Sequence, residues 1–376
     1  METTSAPGTA IFSPVDEEDL VRSGLLTPSV EGKRKVHKRR LDRSSDETNS
    51  HVPLTPTSLS PSPEVETDLF STIPDSLISL ATLQYLGYDE NTAKKIWQSW
   101  INWSPGPIVR EIDDDLPGTM SVSFIDYAKG FVGGDTDTYD EEDQPWFECM
   151  NSWGILPSVQ EAIMDPVFKN IRLSETCRFW VRDTMEIRYG GLEEIQKASR
   201  ERAMGLQRAA LRPGNTSQIV AGASQGASGS GSRSFSASQR TQPGISPHTA
   251  MSAEAIASMN APIYTVLFKG ISKTRLQGLL DEDGNLSDIT ALLSPPPTDF
   301  LGRESGYYFT VEREVAVRYA SYAKRRDGNG SNVILSVKLP NAAVESLPEG
   351  QLQKTYFPSE DWQRLIFQSR RRQRLP

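Results

Sequence analysis

The chain has 376 residues, long enough for two or three domains, but 37% hydrophobic content and 25 prolines leave part of it too poor in apolar side chains to pack. A formal charge of -9 argues against a general nucleic-acid binder, and no specific nucleic acid is expected as a partner. Cys149 and Cys177 form no spacing motif, the start lacks a secretory pattern, and nothing approaches the roughly 20 apolar residues of a membrane helix, so a soluble, intracellular, reducing setting is predicted.

The three histidines, His37, His51 and His248, fall in low-complexity sequence, so no folded region is expected to hold an imidazole. Serine-histidine and cysteine-histidine catalysis and structural zinc are thereby excluded, and no metal site is expected.

Residues 1–70 are rich in Ser, Thr, Pro and charge, and read as a disordered tail. Within it Lys33 to Arg40, KRKVHKRR, has the density of an importin-type nuclear signal, which predicts the import machinery as a partner and a nuclear, also cytoplasmic, location. Ser-Pro and Thr-Pro pairs at Ser13, Thr27, Thr55, Ser60 and Ser62 surround it.

Residues 71–212 read as an α-helical domain holding six of the seven tryptophans. One helix opens at Asp89, a good N-cap, and aligns Ala93, Ile96, Trp97, Trp100 and Ile101. A second begins at Ser174 and aligns Cys177, Trp180, Val181, Thr184 and Met185, and a polar helix follows from Leu192 to about Arg208. These aromatic stripes are read as core, with a groove for a protein partner as the alternative. Asp135 to Asp143 alternates aspartates but lacks the glycine and terminal glutamate of a calcium loop, so it reads as a solvated loop.

Residues 213–260, rich in Gly, Ser, Ala and Gln, read as a flexible linker separating two domains. Residues 261–376 then alternate strand and helix signals, giving an α+β domain. Expected are a strand over Ile263–Lys269, helices over Ser272–Leu280 and Leu286–Leu293, a strand through Val333, Leu335, Val337 and Leu339, and a last helix over Ser359–Arg372. Between them Tyr307, Tyr308 and Phe309 form an aromatic run entered through Gly306, predicted as a short strand. A helix follows in which Val315, Ala316, Tyr319, Ala320 and Ala323 share a face and Lys324, Arg325 and Arg326 complement the negative end.

Gly-x-Tyr-Phe-Thr followed by Ala-x-x-Tyr-Ala resembles the second motif of the ADP-ribosyltransferase superfamily, in its poly-ADP-ribose-polymerase-like branch. The likeness covers the C-terminal third. It implies that Tyr308 and Tyr319 pack on either side of the nicotinamide ring of NAD, the co-substrate. Gly270 matches the glycine of the first motif, where it would let backbone approach the ligand; Lys269 stands in place of that motif's His or Arg, leaving it a point charge for the pyrophosphate, and Ile271 replaces the usual hydroxyl. The third motif requires a glutamate; Glu345, Glu349 and Glu360 are available, and Glu360, at a helix start, is assigned the catalytic role. The resemblance implies an NAD-dependent ADP-ribosyltransferase-like protein acting on a protein acceptor. The alternative is a catalytically inert scaffold or regulatory protein whose transferase-like domain binds a partner or nucleotide.

Overall fold

The computed structural model describes residues 9–38, 69–210 and 263–370, apart from residues 105, 114–119, 135, 282, 295–299, 303 and 349. It is a mixed α/β structure in which helices predominate and the sheets are small, two-stranded ones. Among the described residues no helix is long and apolar enough to cross a membrane.

Residues 9–38 correct part of the reading of residues 1–70 as a disordered tail; residues 1–8 and 39–68 lie outside the described residues. Ser13 accepts a hydrogen bond from the Asp16 amide at the start of α1 (Pro14–Arg22), with Pro14 in the first turn. β1 (Lys33–His37) pairs antiparallel with β2 (Phe70–Pro74). Ile11, Phe12, Leu20, Leu26 and Val36 all enter the main core. Asp16, buried, takes both Nε and Nη2 of Arg202 at 2.7 Å and the Ser199 hydroxyl at 2.7 Å, which fastens α1 to the long helix described below. Composition averaged over 70 residues concealed these five apolar side chains, because the helical block supplies the opposite wall of their core. The basic run is corrected in the same way: Lys33 to His37 is strand, and Arg34 is held by Glu17 at 2.7 Å and Asp75 at 2.5 Å. Arg39 and Arg40 lie outside the described residues. His37 is also in folded structure, its ring edge-on to Phe70 at 5.1 Å.

The helical block runs through α2 (Leu80–Leu86), α3 (Glu90–Ile101), β3 (Ile108–Arg110) parallel to β4 (Met120–Val122), α4 (Phe124–Gly130), α5 (Asp143–Ser152), α6 (Pro157–Ile163) and α7 (Lys169–Arg172). As expected, Asp89 caps α3 through the Thr92 amide at 2.7 Å, and Ala93, Ile96 and Trp100 are its buried face. Trp100, Phe124, Trp146 and Met150 lie at the centre of the core. The acidic loop has structural work: Asp137 accepts the Arg178 amide at 2.9 Å, and Asp143 pairs with buried Arg172 at 2.6 Å.

The two helices expected after Ser174 are one, α8 (Cys177–Ala210), which runs straight through Gly190 and Gly191. Glycine propensity is outweighed there by packing: a Cβ at Gly190 would sit 3.0 Å from the Thr274 side chain, so the glycine lets the C-terminal segment close on the helix.

The segment 213–260 lies outside the described residues. Beyond it, β5 (Tyr264–Ser272) and β6 (Asn332–Pro340) pair antiparallel over their whole length, Tyr264 opposite Pro340 and Ser272 opposite Asn332. Between them comes α9 (Arg313–Asp327), then α10 (Asn341–Glu345) and α11 (Glu360–Arg370). The expected helices over 272–280 and 286–293 are only single 3-10 turns, Lys273–Leu276 and Ile289–Leu292. The aromatic run is flanked by isolated bridges rather than forming a strand: Gly306 bridges Ser294, and Phe268 and Thr310 exchange both amide hydrogen bonds at 2.6 and 2.9 Å. The second bridge lays Tyr308 and Phe309 alongside β5.

The helical block and the C-terminal segment share a core. Tyr322 of α9 is fully buried among Phe168 and Trp180, donating its hydroxyl to the Ile163 carbonyl at 2.9 Å. Truncating a side chain so placed costs about 3 to 5 kcal/mol, comparable with much of a domain's net stability.

Candidate functional site

β5, α9 and α8 enclose a cleft of about 310 Å³. Four of the sequence-predicted residues, Lys269, Gly270, Tyr308 and Tyr319, line it together. Glu360 does not: it is exposed at the start of α11.

Each of the four has a definite setting. Lys269, on β5, donates to the Ser294 hydroxyl at 3.2 Å and to the Tyr308 carbonyl at 3.3 Å, and its Nζ is 5.8 Å from the Phe309 ring centre. Burial, then the nearby Arg275 charge, bring its amine down to about 8 from the ordinary 10.5. Tyr308 stacks on Phe300 with ring centres 6.0 Å apart and planes 20° from parallel, its hydroxyl accepting the Phe300 amide at 3.2 Å. Tyr319 stands on α9 at the cleft wall, 38% exposed.

Gly270 has a different reason from the one its motif suggests. A Cβ there would lie 1.9 Å from the Ala316 carbonyl oxygen and 2.9 Å from the Ala320 nitrogen. The glycine brings helix α9 down onto strand β5, and the backbone it admits is the protein's own. Ala316, Ala320 and Ala323 are the small residues that complete this contact.

The other wall is residues read from sequence as core or as a helix end. On α8, Phe179 and Trp180 face the cleft beside Asp183. Arg326, read from sequence as complementing the negative end of its helix, is 2% exposed. Its guanidinium lies 4.7 Å from the Trp180 ring centre and 4.5 Å from that of Tyr322, and it donates to Asp183 at 2.6 Å and to the Thr184 hydroxyl at 3.1 Å. Arg275 also pairs with Asp183 and reaches Glu186 at 3.3 Å. The two guanidiniums hold the buried Asp183 carboxyl below its usual range against the opposing effect of burial. The spacing of Trp180, Asp183 and Thr184 on one helical face was visible in the sequence; their meeting with Arg326 across 143 positions was not.

No known protein family, curated protein or solved structure matches the chain.

Proposed function

We propose that the cleft binds a nucleotide-type ligand, with NAD and ADP-ribose the first to test, and that the chain acts through this binding as a regulatory or scaffolding protein. The observation that carries the reading is the convergence of Lys269, Tyr308 and Tyr319 on one aromatic-walled cleft. A flat heterocycle suits the Tyr308 and Tyr319 rings, and a phosphate suits the Lys269 amine. Transfer of ADP-ribose is the less favoured reading. An oxocarbenium-like transition state calls for an available negative charge; the charge of Asp183 is already taken by two guanidiniums and Glu360 is elsewhere, which leaves Glu175 as the other carboxylate lining the cleft.

Calorimetric titration of the full chain with NAD and ADP-ribose tests the binding, and incubation with labelled NAD tests transfer. Tyr308→Ala should weaken binding about tenfold or more, since stacking of a base on an aromatic side chain contributes about 1 to 3 kcal/mol. No heat of binding with a folded chain, or an affinity unmoved by the substitution, would remove the basis for the reading.

A further inference from the structure

The environment of the Lys269 amine matches a neutral nitrogen. An ammonium offers three N–H donors, a neutral amine two and a lone pair, and Nζ faces two acceptors, Ser294 Oγ and the Tyr308 carbonyl. Among the described residues no carboxylate lies within ion-pair distance of it, whereas Arg275 and Arg326 in the same cleft share Asp183. The Phe309 ring lies 5.8 Å from Nζ, and Tyr308 and Phe300 line the same cleft. A lysine desolvated in an apolar cleft beside another cation is the setting in which an amine acts as a nucleophile at neutral pH.

We propose that Lys269 is a covalent carbonyl site, whose amine condenses reversibly with a small planar aldehyde seated between the aromatic walls of the cleft. The nitrogen lone pair attacks the carbonyl carbon, the C–N bond forms, and the π electrons move onto oxygen. Two protons pass from nitrogen to that oxygen, which leaves as water when the C=N bond closes. There is no change of oxidation state, and the aldehyde is the sole co-reactant. The Ser294 hydroxyl, 3.2 Å from Nζ, is placed to carry a proton from nitrogen to oxygen. The site does not rest on nucleotide binding, because NAD carries no free aldehyde and the terminal ribose of ADP-ribose is closed in its ring form almost throughout.

The test uses the full chain with pyridoxal 5′-phosphate as the probe, borohydride reduction and peptide mapping by mass spectrometry. At pH 7.5 about a quarter of an amine titrating near 8 is neutral, against about a thousandth of an ordinary lysine. Lower intrinsic nucleophilicity takes back part of that advantage. Lys269 is therefore expected to label at least about tenfold faster than the exposed Lys94 and Lys324, with a rate that levels off above about pH 9. The imine absorbance before reduction should be largely lost in Lys269→Arg, which keeps a cation but cannot condense. Equal labelling of Lys269 and the exposed lysines, or a rate still climbing at pH 10, would overturn the proposal. If the arginine variant does not fold, the peptide ratio in the unaltered chain decides alone. A failed nucleotide titration leaves that ratio untouched, so the two proposals fall separately.

Discussion

Replacing Lys269 with methionine should make the unliganded protein more stable. The amine titrates about 2.5 units below an ordinary lysine, which at 1.36 kcal/mol per unit sets a ceiling of about 3 kcal/mol on what holding its charge in the cleft costs below pH 8. Loss of the hydrogen bonds to Ser294 and Tyr308 returns about 1 kcal/mol, and the methionine stem keeps its packing beside Phe309, so a net gain of about 1 to 2 kcal/mol is expected at pH 7. The sign with pH follows from proton counting. Between pH 8 and 10.5 the unfolded chain binds more protons at this lysine than the folded one, so this group's cost is full below pH 8 and fades as pH rises through the window. Denaturant melts of both proteins at pH 7, 8, 9 and 10 measure the difference directly. The gain from Lys269→Met should be largest at pH 7 and shrink toward pH 10. A variant less stable at every pH, by a constant amount, would mean that the amine is well hydrated and snorkels out of the cleft.

Asp327, whose carboxyl is raised to about 6 from 3.8, first by burial, repeats the experiment with a carboxylate: its cost is absent below about pH 4 and complete above 6. Asp327→Asn should therefore stabilise the chain by about 1 to 3 kcal/mol at pH 7.5 and not at pH 4, and an equal effect at both pH values in the same melts would refute the assignment. Gly270→Ala drives a methyl group into the helix backbone at Ala316 and should cost about 3 kcal/mol or more while opening the cleft; unchanged melting would contradict the close contact of α9 with β5. For nuclear import, alanine at Lys33 to His37 would damage the β1–β2 pairing, so the informative substitution is Lys38, Arg39 and Arg40 together. A fluorescent fusion so altered is expected to leave the nucleus, and one that stays would dispose of the basic run as the import signal.

What the sequence revealed and what it hid divide by the range of the forces involved. β5, β6, α9 and α11 were readable because their signals are local: alternation through Val333, Leu335 and Val337, alanines at helical spacing, and a carboxylate at a helix start. Residues 9–38 were misread because Ile11, Phe12 and Leu20 pack against the helical block, and a window of composition contains no information about that wall. Arg326 was misplaced for a related reason. A cation in the last turn of a helix has a sufficient local explanation in the dipole, and nothing nearby in sequence announces the Asp183 carboxylate and the two aromatic rings that bury it. Gly270 was read as admitting a ligand to the backbone, whereas the close neighbour in the structure is Ala316.

The charge balance of the cleft connects its two proposed uses. Asp183 and Glu186 compensate Arg275 and Arg326, Glu175 also lines the cleft, and the half-buried Lys269 amine has two neutral hydrogen-bond acceptors beside aromatic rings. In a poorly solvated site such a group has two ways to lower its free energy: it loses its proton, or it gains an anion. The first leaves a lone pair for a carbonyl carbon; the second is a phosphate beside an ammonium. The same desolvation therefore underlies condensation and nucleotide binding, and the proton separates them. An anion bound next to Nζ raises its proton affinity, so phosphate binding draws a proton in above pH 8, strengthens as pH falls toward 8 and levels off below it, while condensation strengthens as pH rises toward 9. A lysine that is merely well hydrated at a strand end would show both dependences displaced to its ordinary titration range above pH 10.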